Sequence, residues 1–543
     1  MGCVSTQQSE VSNISDRKRA GIEMPRLSWL SHSGARKYWL VAGLSLLVVS
    51  LYVGLSVAVT EPGLPLDDGW IHQTYARNLA NDGRWSYTSG VVSAGSTAPL
   101  WTLLLAIGYF FNLPPLPWTY FWGWLCLTWI GWTGMWLWAT LWPRFQGLTW
   151  LPGVVLVLSW PLVWAAGSGM ETLLFTSLAL QLIFLYCRQS KNGEWRIWQL
   201  GLLAGLLILT RPDGVALLSL VAAGLLVVSS SPKDKVFRYA IYLFTAALPL
   251  IPYFALNLLS SGTIWPNTYY AKQAEYAFLW QMPLFQRLAQ LLFFSLGGPA
   301  EGWRGVSGAH LLLLPGLLAA VWKSWRSDWK QRRLLYLLPM IWAVGHVFLY
   351  AWRLPVTYQH GRYLMPVVPI FILYGLAGWL QLFEVAQNRF HLSDRSTFVL
   401  KTFAPLTLVV LLLIFLLLGL QAYSQDVAFI NGEMVATARW LEKNTPDDTL
   451  IAAHDIGAIG YFTKKPILDL AGLISPQVIP LLANQEGLAS YVKESEARYL
   501  VTAPGWPYED ITKSSDAEAV YSTNYAWSQA QGINNMMVYK LGG

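Results

Sequence analysis

The sequence predicts an α-helical polytopic membrane protein of about 11 transmembrane helices, the number of bilayer-length apolar runs it offers, followed by a small α/β domain. Three observations predict it. The 543 residues are 54% hydrophobic and only 12% charged, whereas soluble domains carry about 25% charged residues. Apolar runs of roughly 17–25 residues, the length of a bilayer crossing, recur along the chain. Charge is also uneven: 16 acidic and 29 basic residues precede position 426, and 14 acidic and 8 basic lie from 426 to the end. That asymmetry reads as membrane orientation, not nucleic-acid binding.

The elements follow in order. Residues 1–37 form a basic tail, placed in the cytosol and read as disordered, not as a cleaved signal. Its opening "MGCVST" matches a lipidation pattern around Cys3; a chain with many spans gains nothing from an acyl anchor, and the match is read as chance. Expected spans are 38–60, 118–142, 149–166, 170–187, 197–210, 214–230, 237–258, 306–323, 334–351, 363–384 and 402–422. The pair flanking "TRPDG" (210–214) reads as half-helices around a break. With the N-terminus inside, 21 of the 29 basic residues fall on the inner side, in clusters at 17–37, 144, 188–196, 233–238, 323–333 and 389–401. That is the positive-inside pattern. "APLWTLLLAIGYFF" (98–111), counted as a span, would invert every later loop; it is read as an interfacial or re-entrant helix. "LFQRLAQLLFFSL" (284–296) is a second interfacial candidate.

The transmembrane domain is thus 38–425, with a first outer loop at 61–117 and further outer segments at 167–171, 259–305 and 353–363. The C-terminal domain, 426–543, lies outside the cytosol. "NGEMVATARWLEKNTP" has helical spacing, and "TLIAAHDIGAIGYFTKKPILDLAGL" reads as strand, glycine-containing turn, strand. Cys3, Cys126 and Cys187 are the only cysteines, so no disulfide framework is expected. There is no P-loop, no dinucleotide fingerprint and no nucleophile elbow.

Polar residues gather in the outer segments. The first loop holds Asp67, Asp68, His72, Arg77 and Arg84, and the second turn holds Glu171. Arg211 and Asp213 sit at the helix break, Asn267, Tyr269, Tyr270 and Lys272 in "PNTYYAK", and His360 and Arg362 in "RLPVTYQHGRY". His454 and Asp455 stand beside two glycines in the C-terminal domain, a turn where backbone approaches a ligand. Ionisable residues at membrane depth are functional candidates. Cations there suit a phosphate, and a carboxylate suits the proton of a reacting hydroxyl.

Each has a plainer role to weigh. Asp67 and Asp68 could be N-caps of "GWIHQTYARNLA", and Glu171 could open its helix. Arg211 and Asp213 could pair only with each other. Lys272 and Arg362 could be interfacial snorkelling residues. His72, His360 and the His454–Asp455 turn could simply pack. No His or Cys spacing suits zinc. A divalent cation (Mg, Mn or Ca) on Asp67 and Asp68 is compatible with oxygen ligation.

The chain resembles the GT-C class of integral-membrane glycosyltransferases, in its bacterial arabinofuranosyl- and mannosyltransferase-like branch. The resemblance rests on "LDDGWIHQTYARNLANDG", "GSTAPLWTLLLAIG", "GSGMET", "LTRPDG", "WPNTYYAK", "HGRYLMPVVP" and "HDIGAIGYFTKKPILDLAGL", in that order. It covers all but about the first 35 residues. It implies transfer of a sugar, with inversion, from a polyprenyl-phosphate donor to a hydroxyl of a glycan, lipid or protein at the outer face of the cell membrane. It matches Asp67 and Asp68 to catalytic acidic positions, without saying which is the base. Glu171 matches a second acidic position, and Lys272 and Arg362 match positions for the lipid phosphate. Arg211, Asp213, His72, Asn267, Tyr270, His360 and Asp455 remain substrate-binding candidates. The rival is a transporter or flippase of lipid-linked or anionic substrates. It requires midplane charges and internal symmetry, and no repeat is visible.

Overall fold

An apolar segment in lipid satisfies its backbone groups internally, which makes the helix the default for these runs. The computed structural model describes residues 32–228, 231–297, 309–331, 334–390, 393–513 and 517–542. The basic tail and the Cys3 motif lie outside the described residues, as does the start of the expected span 306–323.

The chain opens with α1 (His32–Val57) and the loop helix α2 (Asp67–Asp82), which ends on left-handed Gly83. Next come α3 (Pro99–Phe110) and the Trp-rich α4 (Pro115–Leu141). The run 149–166 splits into α5 (Trp150–Val157) and α6 (Trp160–Ala166). Pro161 explains the split, because it lacks an amide hydrogen and disfavours helix just before it. After α7 (Thr172–Asn192), Pro212 separates α8 (Ile197–Thr210) from α9 (Val215–Val228). α10 (Pro232–Ala247) and α11 (Ile251–Ser261) meet at a 55° bend beside Pro249 and Pro252. Two short helices, α12 (Asn267–Glu275) and α13 (Leu284–Ser295), precede α14 (Leu314–Gln331), α15 (Leu338–Arg353) and α16 (Val368–Phe390). The 37-residue α17 (Asp394–Ile430) runs through a π-helical turn into α18 (Ala436–Asn444).

A helix lies on every expected span, but not every one spans by itself. Among the described residues, four helices are long and apolar enough to cross a membrane, or five if the bent pair is one span. The count of 11 is not reached. α8 and α9 have 14 residues each, so each reaches about 21 Å against a hydrocarbon core of about 30 Å.

The C-terminal domain is α/β, as its patterning predicts. Its sheet has the order β2-β1-β3-β5-β4, built from β1 (Ile451–Ala453), β2 (Ile467–Asp469), β3 (Tyr499–Thr502), β4 (Ala517–Ser522) and β5 (Met537–Leu541). β1 runs parallel to β2 and β3, whereas β5 is antiparallel to β3 and β4. One expectation is corrected here. The glycine-containing segment between β1 and β2 is a seven-residue helix, α19 (Gly457–Thr463), so the unit is strand–helix–parallel strand.

The domain does not hang free. Leu64, Trp70, Tyr75 and Tyr87, from around α2, share one apolar core with Ile430, Ile459 and Val538. Glu433, buried in the π turn, accepts hydrogen bonds from Thr523, Asn535 and the Met536 amide. Together these contacts fix the sheet over the first loop.

Candidate active site

Asp67 and Asp68 occupy the first turn of α2, where the helix dipole favours carboxylates. Neither is an N-cap: that position is Leu66, extended and without a side-chain cap bond. Neighbours on a helix diverge by about 100°, and these two have different partners. Asp67 faces the C-terminal domain, accepting the Gly457 amide on Oδ2 at 2.6 Å and the Ala458 amide on Oδ1 at 2.7 Å. Gly457 must be glycine, because a Cβ there would collide with the main chain and carboxylate of Asp67. Burial, joined by the neighbouring Asp455 charge, pushes the Asp67 carboxyl up against the pull of those two amides.

Asp68 faces a cavity of about 410 Å³. Arg362 Nη2 donates to its Oδ2 at 2.5 Å. Burial alone would raise the Asp68 carboxyl, but the Arg362 and Lys272 charges outweigh it and hold the group at about 2. Arg362 is itself buried. Its Nη2 also reaches the Tyr363 hydroxyl at 3.0 Å, while Nε and Nη1 have no hydrogen-bond partner among the described residues.

Glu171 begins α7 without capping it. Its Oε2 lies 3.2 Å from His72 Nε2, one turn along α2 from Asp68, and its Oε1 lies 3.8 Å from Arg211 Nε. Burial would raise this carboxyl too; the His72 hydrogen bond and the nearby arginines bring it down to about 2. At the α8–α9 break the chain is extended at Arg211, which turns the guanidinium inward. Its Nε donates to Asp213 Oδ1 at 3.1 Å, and its Nη2 reaches the Tyr350 hydroxyl, which donates to Asp213 Oδ2 at 3.1 Å. Arg211 and Asp213 do pair, as the plainer reading holds, yet both also line the cavity.

Lys272 Nζ lies 3.0 Å from Glu275 Oε2. Burial disfavours its charge, but Glu275 and Asp68 more than compensate and raise its pKa. The cavity walls are largely apolar: Ile71, Met170, Val215, Leu349, Trp352 and Leu354 contribute, and the C-terminal domain adds Leu473 and Ile474.

The fold therefore brings together Asp68, His72, Glu171, Arg211, Asp213, Lys272 and Arg362. Other candidates lie elsewhere. Asn267 is buried, its amide held by the Ala94 carbonyl at the start of α12, and Tyr270 packs its ring on Tyr269. His360 meets Asp426 at 2.8 Å, outside the cavity. Asp455 binds His454 at 3.0 Å, and His454 Nε2 lies 3.7 Å from Glu275 Oε1, so this pair borders the site without lining it. Tyr350, Arg353 and Tyr363 line the cavity and were not singled out from the sequence. Tyr350 looks like one more apolar-run residue; the signal was its place one turn before Arg353, where that run ends.

The carboxylates do not fit the divalent cation weighed from the sequence. Asp67 spends both oxygens on backbone amides, while Asp68 and Glu171 face Arg362, His72 and Arg211. No group of three or more His, Cys, Asp or Glu is assembled for a metal among the described residues.

Residues 421–539 match the family model of a domain of unknown function, DUF8728. No curated protein matches the sequence significantly. Solved structures do match the fold. The Archaeoglobus fulgidus oligosaccharyltransferase, tethered with an acceptor peptide containing the NVT sequon, aligns with a TM-score of 0.60 at 13% identity, over 88% of this chain and 70% of that one. The same organism's AglB, in complex with an inhibitory peptide and a dolichol-phosphate, gives 0.58 at 12% identity over the same shares. ArnT from Cupriavidus metallidurans, bound to undecaprenyl phosphate, gives 0.57 at 15% identity, over 92% of this chain and 97% of that one. At such identities the likeness is one of fold.

Proposed function

Because the chain has the GT-C architecture of integral-membrane glycosyltransferases, we propose that it transfers a sugar from a polyprenyl-phosphate donor to an acceptor hydroxyl outside the cytosol. The observation that carries this reading is the Asp68–Arg362 pair. A buried guanidinium with two unpartnered donors sits against a carboxylate in a largely apolar cavity, with Lys272 alongside. Buried N–H donors without an acceptor are costly, and phosphate oxygens would satisfy them. The apolar wall suits the first isoprene units. That AglB occurs with a dolichol-phosphate and ArnT with undecaprenyl phosphate supports a lipid-phosphate donor.

The steps follow from these residues. Phosphate takes Arg362 and Lys272, so Asp68 no longer feels the full Arg362 charge and becomes more basic. The acceptor oxygen attacks the anomeric carbon while Asp68 accepts its proton. The bond from that carbon to the phosphate oxygen breaks, and polyprenyl phosphate leaves with the electron pair. Arg362 and Lys272 stabilise the charge that develops on it. One displacement inverts the anomeric centre. Glu171, His72, Arg211 and Asp213 form a polar floor that would bind sugar hydroxyls. In this reading the N-terminus is cytosolic and residues 426–543 are extracytoplasmic.

The test uses purified full-length protein with a panel of undecaprenyl-phosphate sugars, following release of undecaprenyl phosphate. Turnover with one sugar, lost in Asp68→Asn, supports the proposal. Absence of both turnover and saturable lipid-phosphate binding would overturn it.

A further inference from the structure

Three consecutive residues ahead of Arg362 are left-handed: Gln359 at φ 53°, His360 at φ 56° and Gly361 at φ 66°. Residues with a Cβ avoid this region, and such a run persists only where its surroundings hold it. The restraint here is a side chain. His360 Nε2 lies 2.8 Å from Asp426 Oδ2 on α17, and Trp164 Nε1 donates to that same oxygen at 2.8 Å. The imidazole meets Trp160 and Trp164 near edge-on, with ring centroids 5.3 and 5.1 Å away. Gly361 closes the run, and a Cβ there would strike the Phe294 ring.

We propose that the His360–Asp426 contact, seated between two tryptophans, holds this left-handed run and so aims Arg362 at Asp68 and the donor phosphate. The inference rests on the donor reading above. His360 does not line the cavity, so it is a positioning residue: it sets where Arg362, two residues on, can reach. Because Asp426 lies on the helix that continues into the C-terminal domain, the same contact ties that helix to the phosphate site.

The experiment measures undecaprenyl phosphate binding and amide exchange over residues 357–364 in the full-length protein. His360→Ala should weaken binding about tenfold, the scale of the left-handed penalty. It should also speed exchange of the Gly361 and Arg362 amides, which bond the Thr357 and Gln359 carbonyls. His360→Gln, whose amide nitrogen takes the place of Nε2, should restore both, and Asp426→Asn should keep both. His360→Gly should bind better than His360→Ala, since glycine needs no restraint to stay left-handed. With a sugar-loaded donor, His360→Ala should raise the donor KM and leave the acceptor KM unchanged. A folded His360→Ala with wild-type affinity overturns the inference, whatever its exchange. If the wild type shows no saturable lipid-phosphate binding, the donor reading falls and the aiming role falls with it. Unchanged exchange in His360→Ala overturns the clamp separately.

Discussion

Asp67 and Asp68 are adjacent in sequence, yet one grips the amides of Gly457 and Ala458 and the other grips Arg362. The first contact docks a domain; the second charges a cavity. Two identical residues thus carry separate duties, and substitution separates them.

Asp68→Asn should fold, bind lipid phosphate, and lose transfer by about 100-fold to 10,000-fold, the usual cost of removing a general base. Asp67→Asn should do the reverse. Turnover should stay within about tenfold, while the amide group placed against two backbone N–H donors lowers stability by about 1–3 kcal/mol. Parallel rate and melting measurements on the two variants decide the assignment. Equal rate losses in both would remove it.

Gly457→Ala places a methyl group into the Asp67 main chain. Overpacking of this kind costs about 1–3 kcal/mol. A lowered melting temperature is expected, and Asp67→Ala in the same chain should not rescue it, because the backbone oxygen is the nearest obstacle.

Glu171→Gln should be the harshest of the carboxylate substitutions. It leaves buried Arg211 with one carboxylate fewer and removes the partner of His72. Breaking a buried ion pair from one side costs about 3–5 kcal/mol. Denaturant unfolding should show that loss, and Glu171→Asp should recover part of it.

Acid should act on Asp68 and Glu171 together. Both titrate at about 2 in the folded chain, below the values of about 3.9 and 4.3 expected for free Asp and Glu. Their stabilisation is complete above those values and disappears as the pH falls toward about 2. Melting temperature should therefore decline between about pH 4 and pH 2. Asp68→Asn and Glu171→Gln should each flatten part of that decline, and an unchanged slope in both would refute these ion pairs.

The helices were legible because an apolar run in a bilayer has few alternatives, and so was the break at Pro212; the breaks at Pro161 and beside Pro249 and Pro252 fall inside runs that read as single spans. α19 was not. Gly457 and Gly460 look like turn residues, but glycine is required there because Asp67 and the Tyr87 hydroxyl approach so closely. The gathering of acid and base around one site was readable from the polar residues at run ends. Which aspartate faces the cavity was not, because the partners that decide it lie 390 and 294 residues away. His360 read as a substrate-binding candidate because it is one of the polar residues of the outer segments, but it meets Asp426 and does not line the cavity, a partner 66 residues away that spacing does not reveal.

The 294-residue separation of Asp68 and Arg362 also governs when the site can exist. A ribosome adding about 5–20 residues per second needs roughly 15–60 s to make that stretch. For that interval Asp68 has been synthesised and the guanidinium that bonds it has not. The carboxylate must wait in water, since an unpaired charge does not enter a dry cavity. A nascent chain halted before residue 362 therefore holds Asp68, His72, Glu171, Arg211 and Asp213 but lacks the Arg362, Leu473 and Ile474 that complete the cavity lining. The complete cavity arrives late in biogenesis, after most of the helices have been made.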